Sequence, residues 1–302
     1  MDSFDISHKI VSHPHPKNPD AIFSILIPSW KNFQHLKLLV ESIQKNSSFH
    51  HQICVHLNGH CDQSVSFLKQ EKISFTISPE NVGVCVGTNA ASSLAKCDYI
   101  LILNDDMYVA PGWDAYLLQQ IQKRQGDLWC LSGTMIEWED KHNPCVIVGK
   151  NYGKNAETFD EALFLEEYDS YSHEDWNGSQ WYPLVVPRSI WSLVGGLSVE
   201  FSPGMYSDPD FMMKLWKIGV RDFMGVGKSR VYHFMSKSTE RVKKNDGRTQ
   251  FLLKWKVSSS TFLRYYLRLG TSYSGILDNP DPQTFRMVQW KDNIKSKLKA
   301  IF

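Results

Sequence analysis

The chain has 302 residues, of which 42% are hydrophobic and 22% charged, so it can bury a large core and has the composition of an ordinary globular protein. Its formal net charge of +1 argues against a nucleic-acid-binding protein, and no apolar run approaches the roughly eighteen residues of a membrane span. The first twenty residues lack the apolar core of a signal peptide, and the six cysteines form no C-x-x-C pair or zinc spacing. We therefore expect a cytoplasmic protein with reduced cysteines.

Strands and helices are predicted to alternate along the first part of the chain. Apolar runs predict strands at residues 21–28, 52–57, 73–78 and 99–103, and helical spacing predicts helices over residues 36–43, 86–95 and 111–125. This alternation indicates right-handed crossovers and a mainly parallel sheet. Residues 1–20 are polar and are predicted to form a loose N-terminal arm.

The middle of the chain has a different composition. Residues 128–134 are predicted to form a strand, and residues 157–175 then hold eight acids and no Lys or Arg, interleaved with aromatic residues. Such a segment suits sugar binding, since rings stack on C–H surfaces and carboxylates accept hydrogen bonds from hydroxyls. The alternative is a solvated loop whose rings anchor it in the core. Trp176 and Trp181 follow and are candidate contacts for a sugar.

The last third is predicted to be mainly helical. Asp208 before Pro209 predicts a helix start with the Asp as N-cap. Residues 251–269 and 285–302 have the pattern of basic amphipathic helices.

An acidic sequence follows the buried strand at residues 99–103, which runs directly into Asn104, Asp105 and Asp106. Two adjacent carboxylates repel each other and need a compensating cation. In an open α/β sheet, ligands bind in the crevice beyond the carboxyl ends of the strands. Acids at that edge suit Mg²⁺ or Mn²⁺ with substrate phosphates completing the shell. The alternative is a solvated turn whose acids begin the next loop.

Several short motifs occur in a fixed order. They are P-S-W after the first strand, N-G-x-x-D at 58–62, E-N-V-G-x(5)-N at 80–89, N-D-D at 104–106, V-G-G-L at 194–197, S-D-P-D-F at 207–211 and then His233. Over residues 20–235, this order resembles the family 2 glycosyltransferases of the GT-A fold. The resemblance implies a Rossmann-like α/β domain over residues 21–235, with a mainly parallel sheet flanked by helices. Its first half, 21–110, would bind the nucleotide, its second half, 111–235, would face the acceptor, and residues 236–302 would be a helical extension.

The resemblance also implies roles for single residues. Asp106 matches the last acid of the family's D-x-D motif, which would hold Mn²⁺ or Mg²⁺ on the donor diphosphate, and His233 matches a late His that reaches the metal or the diphosphate. Asp208 matches the Asp expected to act as general base. Asp105 would lie near the donor ribose or a metal-bound water. The implied nucleotide-sugar-binding residues are Pro28, Ser29, Trp30, Asn58, Asn81, Gly83, Asn89, Asn104 and Asp105.

Some positions depart from the family pattern. Leu57 stands where the family usually has Asp, which leaves the donor base open, and Ser207 replaces the usual Glu before Asp208. Asn104 turns the D-x-D motif into N-D-D but leaves the last acid in place. The local pattern alone favours a helix cap for Asp208 and a packed core histidine for His233.

The predicted function is that of an inverting glycosyltransferase, which moves a sugar from a nucleotide-diphosphate sugar to an acceptor hydroxyl in polysaccharide or glycoconjugate assembly. One alternative is a non-catalytic protein that binds a nucleotide-sugar or carbohydrate on the same fold. The other is a sugar-phosphate nucleotidyltransferase, although that class should show a glycine-rich basic loop after the first strand. The expected partners are the nucleotide-sugar and a carbohydrate or lipid-linked acceptor, and no nucleic acid.

The extension at residues 236–302 is strongly basic. It carries 14 Lys and Arg against 5 Asp and Glu, so its charge is +9 and that of the preceding residues is −8. In its last helix, Val288, Ile294 and Leu298 alternate with basic residues. Such a helix could lie peripherally on an anionic membrane, which would suit a lipid-linked acceptor. Alternatively, it packs its apolar face on the catalytic domain.

Overall fold

A computed structural model describes residues 9–236 and 243–301. Two parts of the predictions lie outside the described residues, namely the start of the N-terminal arm at 1–8 and residues 237–242 and 302 of the basic extension. Within the described ranges, no helix is both long enough and apolar enough to cross a membrane.

The described residues contain one central sheet of eleven strands. The strands are β1 (Val11–His13), β2 (Phe23–Ser29), β3 (Gln52–Asn58), β4 (Ser74–Ser78), β5 (Tyr99–Ile102), β6 (Met107–Val109), β7 (Trp129–Glu137), β8 (Val146–Val148), β9 (Trp176–Asn177), β10 (Leu184–Pro187) and β11 (Asp222–His233). Their order is β1-β4-β3-β2-β5-β10-β7-β11-β6, with β8 paired to β7 and β9 to β11. The pairs among β2, β3, β4 and β5 are parallel, as is β7 with β11, whereas β1, β6, β9 and β10 run antiparallel to their neighbours.

Helices flank this sheet. They are α1 (Phe33–Asn46), α2 (Asp62–Gln70), α3 (Gly83–Ser92), α4 (Trp113–Gln122), α5 (Glu161–Glu167), α6 (Arg188–Val194), α7 (Ser207–Lys217), α8 (Gly247–Trp255), α9 (Ser259–Thr261) and α10 (Pro282–Ile301). Short 3₁₀ segments lie at Ala156–Thr158, Tyr168–Ser170 and Val199–Phe201, and a π-helical turn at Phe262–Tyr266. The predicted α/β class, with a mostly parallel sheet flanked by helices and a C-terminal helix, is therefore confirmed.

Continuous apolar runs explain why the central strands are buried. Every residue of β2 and of β7 is buried, as expected for strands covered on both faces. The helical spacing of Leu36, Leu39 and Val40 places these side chains on one face of α1, and all three are fully buried. The alternation of strands and helices thus fixes the direction of the parallel strands, so that their carboxyl ends meet at one edge.

The acidic segment at residues 157–175 is anchored by its aromatic rings. Phe159 stacks on Tyr232 with ring centroids 5.4 Å apart, and Phe164 is fully buried against Tyr108. These residues form a second hydrophobic cluster. Within this segment, the structure therefore matches the alternative in which the rings anchor a loop, rather than the alternative in which they stack on a sugar.

Three local features differ from the sequence predictions. The arm is not loose throughout, because β1 pairs antiparallel with β4 and His13 stacks on Phe75 at 4.4 Å. The helix α7 begins at Ser207 with Tyr206 at its N-cap, so that Asp208 lies inside the first turn instead of capping it. The single helix predicted at residues 251–269 is broken after α8, where Lys256 adopts a left-handed conformation with φ 58°.

Candidate active site

The parallel strands bring polar side chains together at one edge of the sheet. β2 ends at Ser29, β3 at Asn58, β7 at Glu137 and β11 at His233, and Asp105 follows β5 by three residues. All five residues line one cavity of about 500 Å³. This cavity occupies the position where an open α/β sheet binds its ligands.

Most of the predicted site residues line this cavity. They are Pro28, Ser29, Trp30, Asn58, Asn81, Gly83, Asn104, Asp105, Asp106 and His233. The residues that the sequence analysis missed are Val84, Glu137, Trp138, Glu139, Lys141, Pro203, Met235, Ser236 and Lys244. Glu137 lies three residues after the end of the strand predicted at 128–134, so a longer strand would have placed its carboxylate at the same edge as Asp105. The basic residues Lys141 and Lys244 come from connections whose course the sequence does not reveal.

Four predicted residues do not line the cavity: Asn89, Trp176, Trp181 and Asp208. Asn89 instead fixes a turn, since its side chain donates to the carbonyl of Leu197 at 2.7 Å and accepts from the amide of the same residue at 2.9 Å. Trp181 is half-buried and packs on the main hydrophobic core.

Trp176 is a core residue. Its side chain is 2% exposed and its Nε1 donates to Thr134 Oγ1 at 3.1 Å. The ring packs directly on Gly225, where an added Cβ would lie 1.8 Å from the nearest ring atom. The indole therefore has no face open to a sugar in this structure, and the reason is the close approach that Gly225 permits.

His233 lies between two carboxylates. Its Nε2 is 3.5 Å from Asp106 Oδ2, and its Nδ1 is 2.7 Å from Glu137 Oε1. Burial by itself would lower the pKa of His233, but the charges and hydrogen bonds of Asp106 and Glu137 outweigh it and raise this pKa to about 10. At neutral pH the ring is therefore an imidazolium that neutralises part of the acidic cluster.

Asp106 is held as a carboxylate. Burial would raise its pKa, but the charge and hydrogen bond of His233 and two hydrogen bonds from Ser236 lower it to about 2. Both the amide and the hydroxyl of Ser236 donate to Asp106 Oδ2 at 2.8 Å. The neighbouring Asp105 has the opposite balance, because burial and the charge of Asp106 raise its pKa to about 7 although Ser29 donates to its Oδ2 at 2.7 Å. The adjacent carboxylates thus differ in proton affinity, as expected for two like charges in one site.

Asp208 lies beside the cavity without lining it. The hydroxyl of Tyr182 donates to its Oδ1 at 3.0 Å, and burial raises its pKa to about 6. Its charge acts on Cys85, which follows the cavity residue Val84 in α3. Pro203 also lines the cavity and accepts a hydrogen bond from the amide of Val84 at 2.9 Å. Asp208 is therefore close to the segment of α3 that forms part of the cavity wall.

The donor atoms of Asp106 and His233 suit a divalent cation. Nε2 of His233 faces Oδ2 of Asp106, and the hydrogen bond from Nδ1 to Glu137 orients the ring. A cation bound between them would replace the proton that Nε2 carries in the imidazolium. Across residues 9–236 and 243–301, no three His, Cys, Asp or Glu side chains form a group that could hold a metal ion. A cation here would therefore need further ligands from a bound molecule, such as phosphate oxygens.

We predict that Glu137→Gln lowers the pKa of His233 from about 10 toward its ordinary value of 6.5, because one of the two facing charges is lost. An imidazole whose pKa is raised by folding stabilises the fold fully below pH 6.5, and this contribution is lost as the pH rises through about 10. The free energy of unfolding of the variant should therefore be lower at neutral pH. It should also change less with pH between pH 6.5 and about 10. NMR titration of the His233 ring and urea unfolding measure the two effects.

The matched control is Glu139→Gln, which removes an exposed carboxylate that pairs with Lys141 at 3.8 Å. It should leave the pKa of His233 unchanged. A His233 pKa in Glu137→Gln equal to that of the unmodified protein would contradict the role assigned to Glu137.

Comparison with known proteins adds to this geometry. Residues 24–168 match the family model described as glycosyl transferase family 2. No sequence among the curated proteins matches the chain.

Solved structures share the fold at low sequence identity. Residues 1–349 of TarS from S. aureus give a TM-score of 0.51 at 13% identity, over 70% of this chain and 60% of that one. The same protein in complex with UDP-GlcNAc gives 0.56 at 13% identity, over 78% and 65%. GalNAc-T7 with UDP, GalNAc and Mn²⁺ gives 0.56 at 11% identity, over 92% of this chain and 55% of that one. The chain thus spans about three-fifths of the TarS fragment.

The family match covers about half of the chain, and the solved neighbours share its fold. Residues 24–168 of this chain are thus similar to glycosyl transferase family 2, and its fold is GT-A.

Proposed function

We propose that this protein is an inverting, metal-dependent glycosyltransferase that moves a sugar from a nucleotide-diphosphate sugar to an acceptor hydroxyl. The observation that carries the proposal is the convergence of Ser29, Asn58, Asp106 and His233 on one cavity at the carboxyl edge of the sheet. These residues come from strands that are distant in sequence, and each occupies the end of its strand or the turn that follows. We propose that it acts in the assembly of a polysaccharide or glycoconjugate.

The nucleoside would occupy the part of the cavity lined by Pro28, Trp30 and Asn58. Asn58 is fixed there because its Oδ1 accepts a hydrogen bond from the amide of Val82 at 3.0 Å. TarS and GalNAc-T7 have both been solved in complex with UDP, which makes uridine the first base to test. Leu57 is 2% exposed, so a different group must recognise the base edge where the family usually offers Asp.

Asp106 and His233 would hold the cation, with Mn²⁺ favoured over Mg²⁺ because an imidazole takes part and because GalNAc-T7 was solved with Mn²⁺. When bound, a divalent cation would neutralise negative charge on the departing diphosphate. Lys141 and Lys244 line the same cavity and add positive charge that attracts the diphosphate. Glu137 would orient His233 through the hydrogen bond that it accepts from Nδ1.

Asp208 is the proposed general base. It would accept the proton of the acceptor hydroxyl as that oxygen attacks the anomeric carbon from the face opposite the diphosphate, which inverts the configuration in one displacement. A carboxyl pKa of about 6 suits this role, because the group is ionised at neutral pH and is still a better proton acceptor than an ordinary Asp. We propose that Trp181 contacts the acceptor. Trp176 is excluded from this role because its side chain lies in the core.

A second candidate function is the binding of a nucleotide-sugar without transfer. The observation that favours it is that Asp208 does not line the donor cavity. Such a protein would bind the donor with the same residues and would release no diphosphate from it.

The proposed donor site is tested by thermal shift with a panel of nucleoside diphosphates and nucleotide-sugars, with and without Mn²⁺. We expect stabilisation by one nucleotide class that requires Mn²⁺ and is lost in Asp106→Asn, because that variant removes a ligand charge. The control is Asp62→Asn, a carboxylate that is 94% exposed and hydrogen bonded to His60. Equal shifts in Asp106→Asn and the unmodified protein would contradict the proposed site.

The proposed base is tested through the pH dependence of kcat/KM. Asp208→Asn should lower the rate by about 10²–10⁴-fold. Because the hydrogen bond from Tyr182 lowers the pKa of Asp208, Tyr182→Phe should move the acidic limb of the profile to higher pH than the limb near pH 6 in the unmodified protein.

Tyr116→Phe, at a ring that does not line the cavity, is the control and should leave the limb in place. Full activity in Asp208→Asn would remove Asp208 from the mechanism. Donor binding without any turnover in the unmodified protein, across the acceptors tested, would favour the binding function.

A further inference from the structure

The C-terminal helix α10 packs on the rest of the protein through a face that is partly polar. Phe285, Asp292 and Ser296 are its buried side chains, and they recur at helical spacing. Asp292 accepts a hydrogen bond from the amide of Ser258 at 2.9 Å, and the ring of Phe285 packs edge-on against Tyr266 at 5.2 Å. The inward face therefore contains a carboxylate and a hydroxyl in addition to one large apolar ring.

The outward face of α10 is apolar. Met287, Trp290, Ile294 and Leu298 are 66%, 63%, 38% and 53% exposed, respectively. Their spacing of three and four residues places them in one stripe along the helix. The buried set is on the opposite side, so the stripe stays uncovered by residues 9–236 and 243–300. The expectation that the apolar face packs on the catalytic domain is therefore wrong for Ile294 and Leu298.

Basic residues border this stripe on both sides. At 100° per residue, Arg286 and Lys297 fall on one side of it and Lys291 and Lys295 on the other, and all four are exposed. Asp292 is the single acid of α10, and its side chain is 2% exposed and directed into the protein. The outer surface of the helix thus combines a continuous apolar stripe with charge of one sign.

We propose that this outer face, comprising the stripe and its basic borders, docks on an anionic membrane surface. The helix would lie parallel to the surface, with the stripe at the boundary between head groups and acyl chains. Lysine stems would extend from the edges of the stripe toward lipid phosphates, since long basic side chains keep their charged ends in the polar layer. The charge complementarity selects a membrane over a protein partner, because positive charge on both borders matches a continuous anionic surface.

The proposal goes beyond glycosyl transfer and does not depend on the donor site. It makes no use of Asp106, His233 or Asp208. Vesicle binding by the full chain, without nucleotide, tests it on its own. If vesicles bind and the nucleotide panel fails, the docking surface stands and the proposed function falls.

The test is co-sedimentation of the full chain with phosphatidylcholine vesicles that contain or lack phosphatidylglycerol. We expect binding to the anionic vesicles that weakens with salt. Trp290→Ser combined with Leu298→Ser should reduce the partition coefficient about tenfold or more, because apolar surface no longer leaves water. Lys291→Glu combined with Lys295→Glu should also reduce it at least tenfold, through lost attraction to anionic lipid.

Matched controls alter similar residues elsewhere on the surface. Leu193→Ser changes a leucine that is 69% exposed outside α10, and Lys69→Glu combined with Lys123→Glu makes the same change in net charge. Both controls should bind anionic vesicles like the unmodified protein. Thermal unfolding of each variant checks that the fold persists, which is expected because the changed side chains point outward.

Three results would overturn the proposal. The first is that Trp290→Ser/Leu298→Ser binds anionic vesicles as strongly as the unmodified protein, and the second is that the unmodified protein does not bind them. The third is a dimer, detected by light scattering, that the same double substitution dissociates while vesicles fail to bind. In that case the stripe is an interface between two copies of the chain.

Discussion

The placement of negative charge at the carboxyl edge of the sheet is the constraint on which the site depends. Asp105 and Asp106 follow the buried strand β5 by three and four residues, and burial disfavours the charge of both carboxylates. Burying such charges is unfavourable unless partners compensate them. His233 supplies a positive charge to Asp106, and hydrogen bonds from Ser29 and Ser236 stabilise the pair.

Strand topology makes this compensation available. β7 and β11 are parallel neighbours, so their last residues, Glu137 and His233, reach the same edge and contact each other. β6 pairs antiparallel with β11, which places Met107 beside His233 and brings Asp106 within 3.5 Å of the ring. The acidic cluster and its counter-charge therefore come from three separate parts of the chain. A cation and a diphosphate would enter a cluster that the fold has already ordered.

Much of this site could be predicted from the sequence because it follows simple rules of position. Asn58 and Asp106 directly follow apolar runs, and residues at the ends of parallel strands share one edge. His233 was found through motif order rather than through local pattern. Glu137 was missed because the strand was predicted to end at residue 134, three residues before β7 ends. Trp176 shows the opposite error, since a two-residue strand and Gly225 bury a ring that composition alone suggested was free to stack.

The C-terminal helix shows why amphipathic pattern does not determine which face is buried. The sequence of α10 contains both an apolar stripe and a polar face. The face with Asp292 is the buried one, and there the carboxylate of Asp292 accepts a hydrogen bond from the amide of Ser258. The tertiary contacts that decide this lie outside the helix itself. The consequence is an exposed apolar surface on α10.

The central claim is that Asp106 and His233 form a cation site completed by a nucleotide diphosphate. Anomalous diffraction from crystals grown with Mn²⁺ and the nucleotide that stabilises the protein tests it most directly. The account predicts one manganese peak about 2 Å from a carboxylate oxygen of Asp106 and from Nε2 of His233, with phosphate oxygens as further ligands. A bound nucleotide with no manganese at these residues, or with manganese held elsewhere, would contradict it.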